Sequence, residues 1–145
     1  MSFVSEYREQ MISAAQTVDS KLVDLAIDEF RRALVDDRQI FVFGNGGSAS
    51  TASHFVTDIV KSASHAGAKR FRVMALTDSN STITAYANDL HFEYVFVEQL
   101  KNFARPGDLV VAITGSGNSR NVIRALEYAT AHGCRRIALT GRDGG

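Results

Sequence analysis

Four apolar runs divide the chain: IFVF (40–43), FRVMAL (71–76), LVVAIT (109–114) and RRIALT (135–140). Between them lie stretches with helical periodicity. The segment 49–62 puts Ala52, Phe55, Ile59 and Val60 on one side, and TITAYA (82–87) reads as a second helix. A loop starting at Asn88 turns into a helix holding Tyr94, Val95, Val97 and Leu100, and RNVIRALEYATAHG is an amphipathic helix closed by Gly133. Strands that are apolar throughout, not alternating, are buried on both faces. Helical connections of about a dozen residues join parallel neighbours, since hairpins need far fewer. The pattern predicts an α/β three-layer sandwich around a parallel β-sheet.

Ahead of the first strand, residues 2–35 repeat Val4, Tyr7, Met11, Ala14, Val18, Leu22 and Leu25 at three- and four-residue steps. Asp19 or Ser20 offers a break and an N-cap, so two helices are expected. Their apolar faces must be buried against the chain's own domain or against another subunit, and periodicity leaves both open. The expected organisation is an N-terminal helical segment over 1–36, serving oligomerisation, followed by a domain over 37–145. Sixteen basic and sixteen acidic residues cancel, which argues against a nucleic-acid partner. No apolar run nears the roughly 18 residues that span a bilayer, so no membrane partner is expected. The N-terminus carries Glu6 and Glu9 and lacks an apolar h-region, so it does not read as a secretory signal. The single cysteine, Cys134, fits a cytoplasmic protein and reads as a small filler before a strand.

Three strands end in small polar turns: GNGGS (44–48), TDSNS (77–81) and TGSGNS (114–119); the fourth ends in TGRDGG. In a parallel sheet all carboxyl ends share one edge, where ligands bind. Glycines let backbone amides approach a ligand, and the helix N-termini that follow favour an anion. Ser48, Thr114, Ser116 and Ser119 add uncharged hydroxyl donors. One such turn is commonly only a tight connection. Two rich in Ser and Gly, at equivalent places on one edge, point to a pocket for a small phosphorylated ligand. G-x-G-x-x-G and G-x-x-x-x-G-K-[ST] do not occur at these turns, so no nucleotide cofactor is expected.

His54 and Asp58 stand four residues apart on a predicted helix and therefore share a face. Such a pair can be a surface contact, an acid and base, or two ligands of a zinc ion, and spacing alone does not choose. His65, His91 and His132 fall in loops or at a helix end and read as solvated. Asn88 and Asp89 sit in a loop after a helix, a common place for both types.

The motifs FGNGGSAS…HF, ALTD…ITAYANDLHFEYVF, RPGDLVVAITGSGNSRNVIRALEYA and ALTGRDGG resemble the sugar isomerase (SIS) domain family, in particular its phosphoheptose isomerase group. The likeness runs from about Val4 to Gly145. It implies a flavodoxin-like sandwich assembled as a homotetramer through the N-terminal helices. It also implies isomerisation of sedoheptulose 7-phosphate to D-glycero-D-manno-heptose 7-phosphate through an enediol, on the way to surface-glycan or lipopolysaccharide heptose. By the same resemblance Asn45, Gly46 and Gly47, with Ser48 beside them, line the substrate site together with Asn88 and Asp89. The phosphate falls to Thr114, Gly115, Ser116 and Ser119. His54 matches a zinc ligand of several members, and Asp58 the catalytic carboxylate.

This sequence departs from the pattern at three places. Asp58 stands where the family has glutamate, one methylene shorter. Gly115 stands where a hydroxyl residue is usual, so TGSGNS replaces Ser-Thr-Ser before Gly-Asn-Ser. Members also continue past TGRDGG into a strand and a helix bearing a glutamine and a second histidine, leaving the zinc ligand set incomplete in these 145 residues. Either the chain is a fragment or it lacks that part of the apparatus; a Gly-Gly directly after a buried strand fits a fragment. Other readings are a non-catalytic scaffold, of the kind that binds a replication initiator, and a sugar-phosphate sensor.

Overall fold

The computed structural model describes residues 2–65, 69–142 and 144–145. Two helices open the chain, α1 (Phe3–Gln16) capped by Ser2 and α2 (Ser20–Val35) capped by Asp19, whose carboxylate accepts from the Lys21 amide. Then follow β1 (Gln39–Gly44), α3 (Gly47–Thr57), β2 (Arg72–Ala75), α4 (Asn80–Asp89), α5 (Val97–Phe103), β3 (Leu109–Thr114), α6 (Arg120–Ala131) and β4 (Arg135–Thr140). All pairings are parallel, in the order β2-β1-β3-β4. The chain thus steps from β1 outward to β2 and returns across β1 to β3. That reversal makes the β1/β3 boundary the topological switch point.

Side chains of β1 and β3 alternate between two cores. Ile40, Val42, Leu109 and Val111 face Ala33 of α2 and Ala52 of α3, with Phe30 and Phe55 meeting edge-on at 5.6 Å. Phe41, Phe43, Val110 and Ala112 face Val95, Phe96, Leu100, Val122, Ala125 and Ala129 on the other side. The fold is therefore α/β with helices on both faces of a parallel sheet. α2 shares the core of the sheet. α1 buries no residue at all.

Several expectations need correction. The helix expected over 49–62 starts two residues earlier, at Gly47, and changes after Thr57 into a π-helical turn, Asp58–Ala63. Asn88 and Asp89 do not lie in a loop; they are the last two residues of α4, which continues until Leu90 leaves the helical region. Tyr94 belongs to a 3-10 turn, Phe92–Tyr94, ahead of α5. β4 is not buried on both faces: only Ile137 is half-buried, while Arg135, Arg136, Ala138, Leu139 and Thr140 are exposed. Among the described residues it lies at the edge of the sheet, reached by α6 and by an ion pair between Arg135 and Glu29 of α2. The expected loop around 64–70 falls in part on residues 66–68, and the fourth turn includes Asp143; these residues lie outside the described ones.

Candidate active site

The turns after β1 and β3 meet at the switch point. Gly44 ends β1 where a Cβ would stand 2.5 Å from the Ile113 carbonyl and 2.7 Å from Ser48 Cβ, so only glycine allows the first turn to close onto β3. Gly46 then takes φ +54° as the N-cap of α3, and its carbonyl accepts from the Ala49 and Ser50 amides. This turn sets the N-terminus of α3 at the carboxyl edge of the sheet, with Asn45 half-buried beside it. In the third turn Thr114 is buried, Ser116 Oγ accepts from the Asn118 amide at 3.2 Å, and Ser119 caps α6. The Ser119 hydroxyl makes no capping bond, although Ser is chosen at such positions for that bond. It stands at the N-terminus of a twelve-residue helix, where the dipole favours an anion.

The third and fourth turns touch through backbone. A Cβ on Gly117, at φ +71°, would lie 2.2 Å from the Gly144 carbonyl. The second turn joins α3 through the Ser53 hydroxyl, which donates to Asp78 Oδ1.

His54 Nδ1 lies 3.1 Å from Asp58 Oδ2, so the pair does share a face of α3. Both side chains are exposed, in a shallow hollow shared with Ser50, Thr51 and Phe55. Asp58 opens the π-helical turn, and its amide bonds the carbonyls of His54 and Phe55. Asn88 Nδ2 donates to Asp89 Oδ1 at 2.8 Å, with both side chains exposed. Among the described residues, no side-chain hydrogen bond or ion pair joins either of these pairs to the first or third turn. The structure therefore brings Asn45, Gly46, Gly47 and Ser48 together with the Thr114–Ser119 turn, and leaves the two pairs on separate helices.

As for zinc, the described residues include no cluster of three or more His, Cys, Asp or Glu side chains. His54 and Asp58 provide two ligand atoms where the ion takes about four. The described residues do not make a zinc site. His65, His91 and His132 are exposed, as expected. Cys134 is buried, and burial together with nearby Asp108 pushes its thiol above the ordinary value. That suits a filler.

Sequence reasoning missed Asn121. It is 2% exposed, and its amide pairs reciprocally with that of Asn45: Asn45 Nδ2 donates to Asn121 Oδ1 at 2.9 Å, and Asn121 Nδ2 donates to Asn45 Oδ1 at 2.8 Å. The signal was present. Asn121 stands four and eight residues before Ala125 and Ala129, a polar group on the buried stripe of α6.

Known proteins share this fold. The SIS domain model matches residues 3–141. A probable phosphoheptose isomerase of Thermoplasma volcanium is 39% identical over 144 residues, covering 98% of this chain and 72% of that one. The phosphoheptose isomerase of Geotalea daltonii is 39% identical over 151 residues, covering 99% and 74%. Among solved structures, the phosphoheptose isomerase of Neisseria gonorrhoeae superposes with a TM-score of 0.88 at 36% identity, covering 98% of this chain and 75% of its own. With the family model spanning nearly its whole length, the chain belongs to the SIS domain family.

Proposed function

We propose that the chain is a phosphoheptose isomerase, interconverting sedoheptulose 7-phosphate and D-glycero-D-manno-heptose 7-phosphate. The observation that carries this reading is the carboxyl edge of the sheet at the switch point. There, two helix N-termini, the unused Ser119 hydroxyl and the Asn45 amide converge, in a chain 39% identical to isomerases across nearly its full length. The phosphate docks on Ser116, Ser119 and the first turn of α6, placing the sugar toward Asn45–Gly47. Asp58, oriented by His54, removes a proton from C1 of the ketose while O2 gains one, giving the enediol. Return of a proton to C2 and loss of the O1 proton leave the C1 aldehyde, so atoms and electrons balance within one molecule. The product serves heptose supply for surface glycans in the cytoplasm. Within one chain the pair stands on the outer face of α3, and α1 carries an uncovered apolar stripe; both fit assembly as a homo-oligomer, a tetramer by the resemblance. The test is a coupled assay for heptose 7-phosphate formation. Absence of turnover by the assembled protein, with and without added zinc, would sink the reading.

A second reading is a sugar-phosphate sensor. Its support is the separation of the His54–Asp58 pair from the turns, and the missing hydroxyl at Gly115. Tight phosphosugar binding without turnover would select it.

A further inference from the structure

We infer that Asn121 is a positioning residue that sets which atoms Asn45 presents to substrate, an inference resting on the isomerase reading. The amide orientations follow from one fixed donor. The backbone N–H of Val122 can only donate, and it is shared between the Ser119 carbonyl and Asn121 Oδ1, each at 3.0 Å. The opposite orientation would set the Asn121 NH2 against that N–H, so Asn121 turns its oxygen toward its own helix and toward Asn45 Nδ2, and its nitrogen toward Asn45 Oδ1. The two bonds between the amides then fix Asn45 as well. One N–H and one lone pair of Asn45 are consumed, while its second N–H and second lone pair take no partner among the described residues, in a half-buried side chain at the carboxyl edge of the sheet. Without Asn121, Asn45 could rotate its amide by half a turn and exchange donor for acceptor.

The pair also crosses the switch point. Asn45 follows β1 and Asn121 sits in the first turn of α6, one residue after Arg120. A phosphate at Ser119 and a sugar hydroxyl or carbonyl at Asn45 are thereby held at a fixed separation by two short hydrogen bonds in a buried site. A misplacement near 1 Å can cost about a hundredfold in rate, so such a brace belongs to the reaction and not only to the fold.

The test is a double-mutant cycle on kcat and KM in the full chain, using Asn121→Leu, Asn45→Ala and the pair. Asn121→Leu is expected to lower kcat by roughly ten- to a hundredfold. Its affinity for inorganic phosphate should hold within about threefold, since the Ser116 and Ser119 hydroxyls are untouched. In the Asn45→Ala background it should cost nothing further. An equal loss in both backgrounds, or an unchanged kcat in the single variant, overturns the inference. Should Asn121→Leu fail to fold, Asn121→Asp carries the same cycle, because it accepts from Val122 but cannot donate to Asn45 Oδ1. A side-chain amide signal assigned to Asn45 by its loss in Asn45→Ala provides a readout free of any sugar. It should move to the position of a solvated amide in Asn121→Leu and shift from its wild-type position in Asn121→Asp, whose carboxylate still accepts from Asn45 Nδ2, and a signal that stays put overturns the inference. Wild-type protein without turnover, but with this signal shifting, would refute the isomerase reading and leave the brace between the two amides standing.

Discussion

His54 Nδ1 and Asp58 Oδ2 are 3.1 Å apart on an exposed face of α3. The helix itself sets this distance, because residues four apart stack one turn above the other. A neutral imidazole can donate one ring N–H to the carboxylate and hold it in one rotamer, leaving the second carboxylate oxygen for substrate. Asp58→Asn keeps the shape and removes the base. Turnover is expected to fall roughly 10²- to 10⁴-fold, with inorganic phosphate affinity unchanged. Steady-state kinetics with a phosphate competition measurement checks both halves, and persisting activity would remove Asp58 from the base role.

Ser119 separates a ligand contact from a helix cap. Truncating a serine N-cap ordinarily destabilises a helix by about 1 kcal/mol. The Ser119 hydroxyl makes no such bond, so Ser119→Ala should leave the unfolding midpoint nearly unmoved. Phosphate binding should nevertheless weaken by roughly 1 to 3 kcal/mol, the value of one hydrogen bond to a charged group. Calorimetric titration and thermal unfolding of the same variant test the two statements together. Weaker folding with intact binding would reverse the assignment.

The layers and most element types could be read from the sequence because they depend on periodicity. Uniformly apolar Ile40–Phe43 and Leu109–Ile113 had to be interior strands, and they fill both cores. β4 was misread for the same reason. Ile137, Ala138 and Leu139 look like an interior strand, yet burial depends on neighbours that a local pattern does not contain. The turns were legible from their Gly and Ser content. The Asn45–Asn121 pairing was not, since 76 residues separate its members and only the switch point joins them. The helical state of Asn88 and Asp89 was hidden by their turn propensity, which the Ser79-capped helix overrides.

Gly115 differs from Gly117 in the same turn. A Cβ at Gly115 meets nothing within 4 Å, and its φ lies outside the left-handed range, whereas Gly117 is at φ +71° against Gly144. Gly115→Thr should therefore fold with unchanged or slightly higher stability, as loss of unfolded-chain freedom favours the native state. With a hydroxyl added beside Ser116, phosphate affinity should rise by about 1 kcal/mol. Gly117→Ala should be destabilised. Thermal shifts and phosphate titration of the two variants give the comparison, and a Gly115→Thr protein that binds phosphate more weakly would contradict it.

Glu93 accepts from Arg124 Nε at 2.6 Å, and this hydrogen bond holds its carboxyl below the ordinary value of 4.5. Arg124 also lies over the Tyr94 ring at 4.8 Å. A carboxylate with a depressed native pKa contributes stability above the unfolded value. That contribution is lost as pH falls through the native one. The pair should thus add to stability at neutral pH and stop doing so well below pH 4.5. Glu93→Gln should narrow the gap between urea midpoints measured at about pH 7 and about pH 3. A gap as wide as wild type would show that the pair is not formed in solution.

The first helix leaves Phe3, Val4, Tyr7 and Met11 between 55% and 77% exposed, with the Phe3 and Tyr7 rings stacked at 6.0 Å. These residues form a stripe three and four positions apart, the pattern of a face that packs on a partner. Each large apolar side chain transferred from water is worth roughly 1.5 to 3 kcal/mol, so a helix of this kind can hold copies of the chain together. Tyr7→Glu with Met11→Glu places two charges on that stripe, where burial would cost several kcal/mol per unpaired ion. The molar mass by light scattering should drop to a smaller species. Far-ultraviolet circular dichroism should stay close to wild type, because the sheet and its two cores do not use α1. If the mass is unchanged, the interface lies elsewhere on the molecule; if the ellipticity collapses, α1 is needed for the fold.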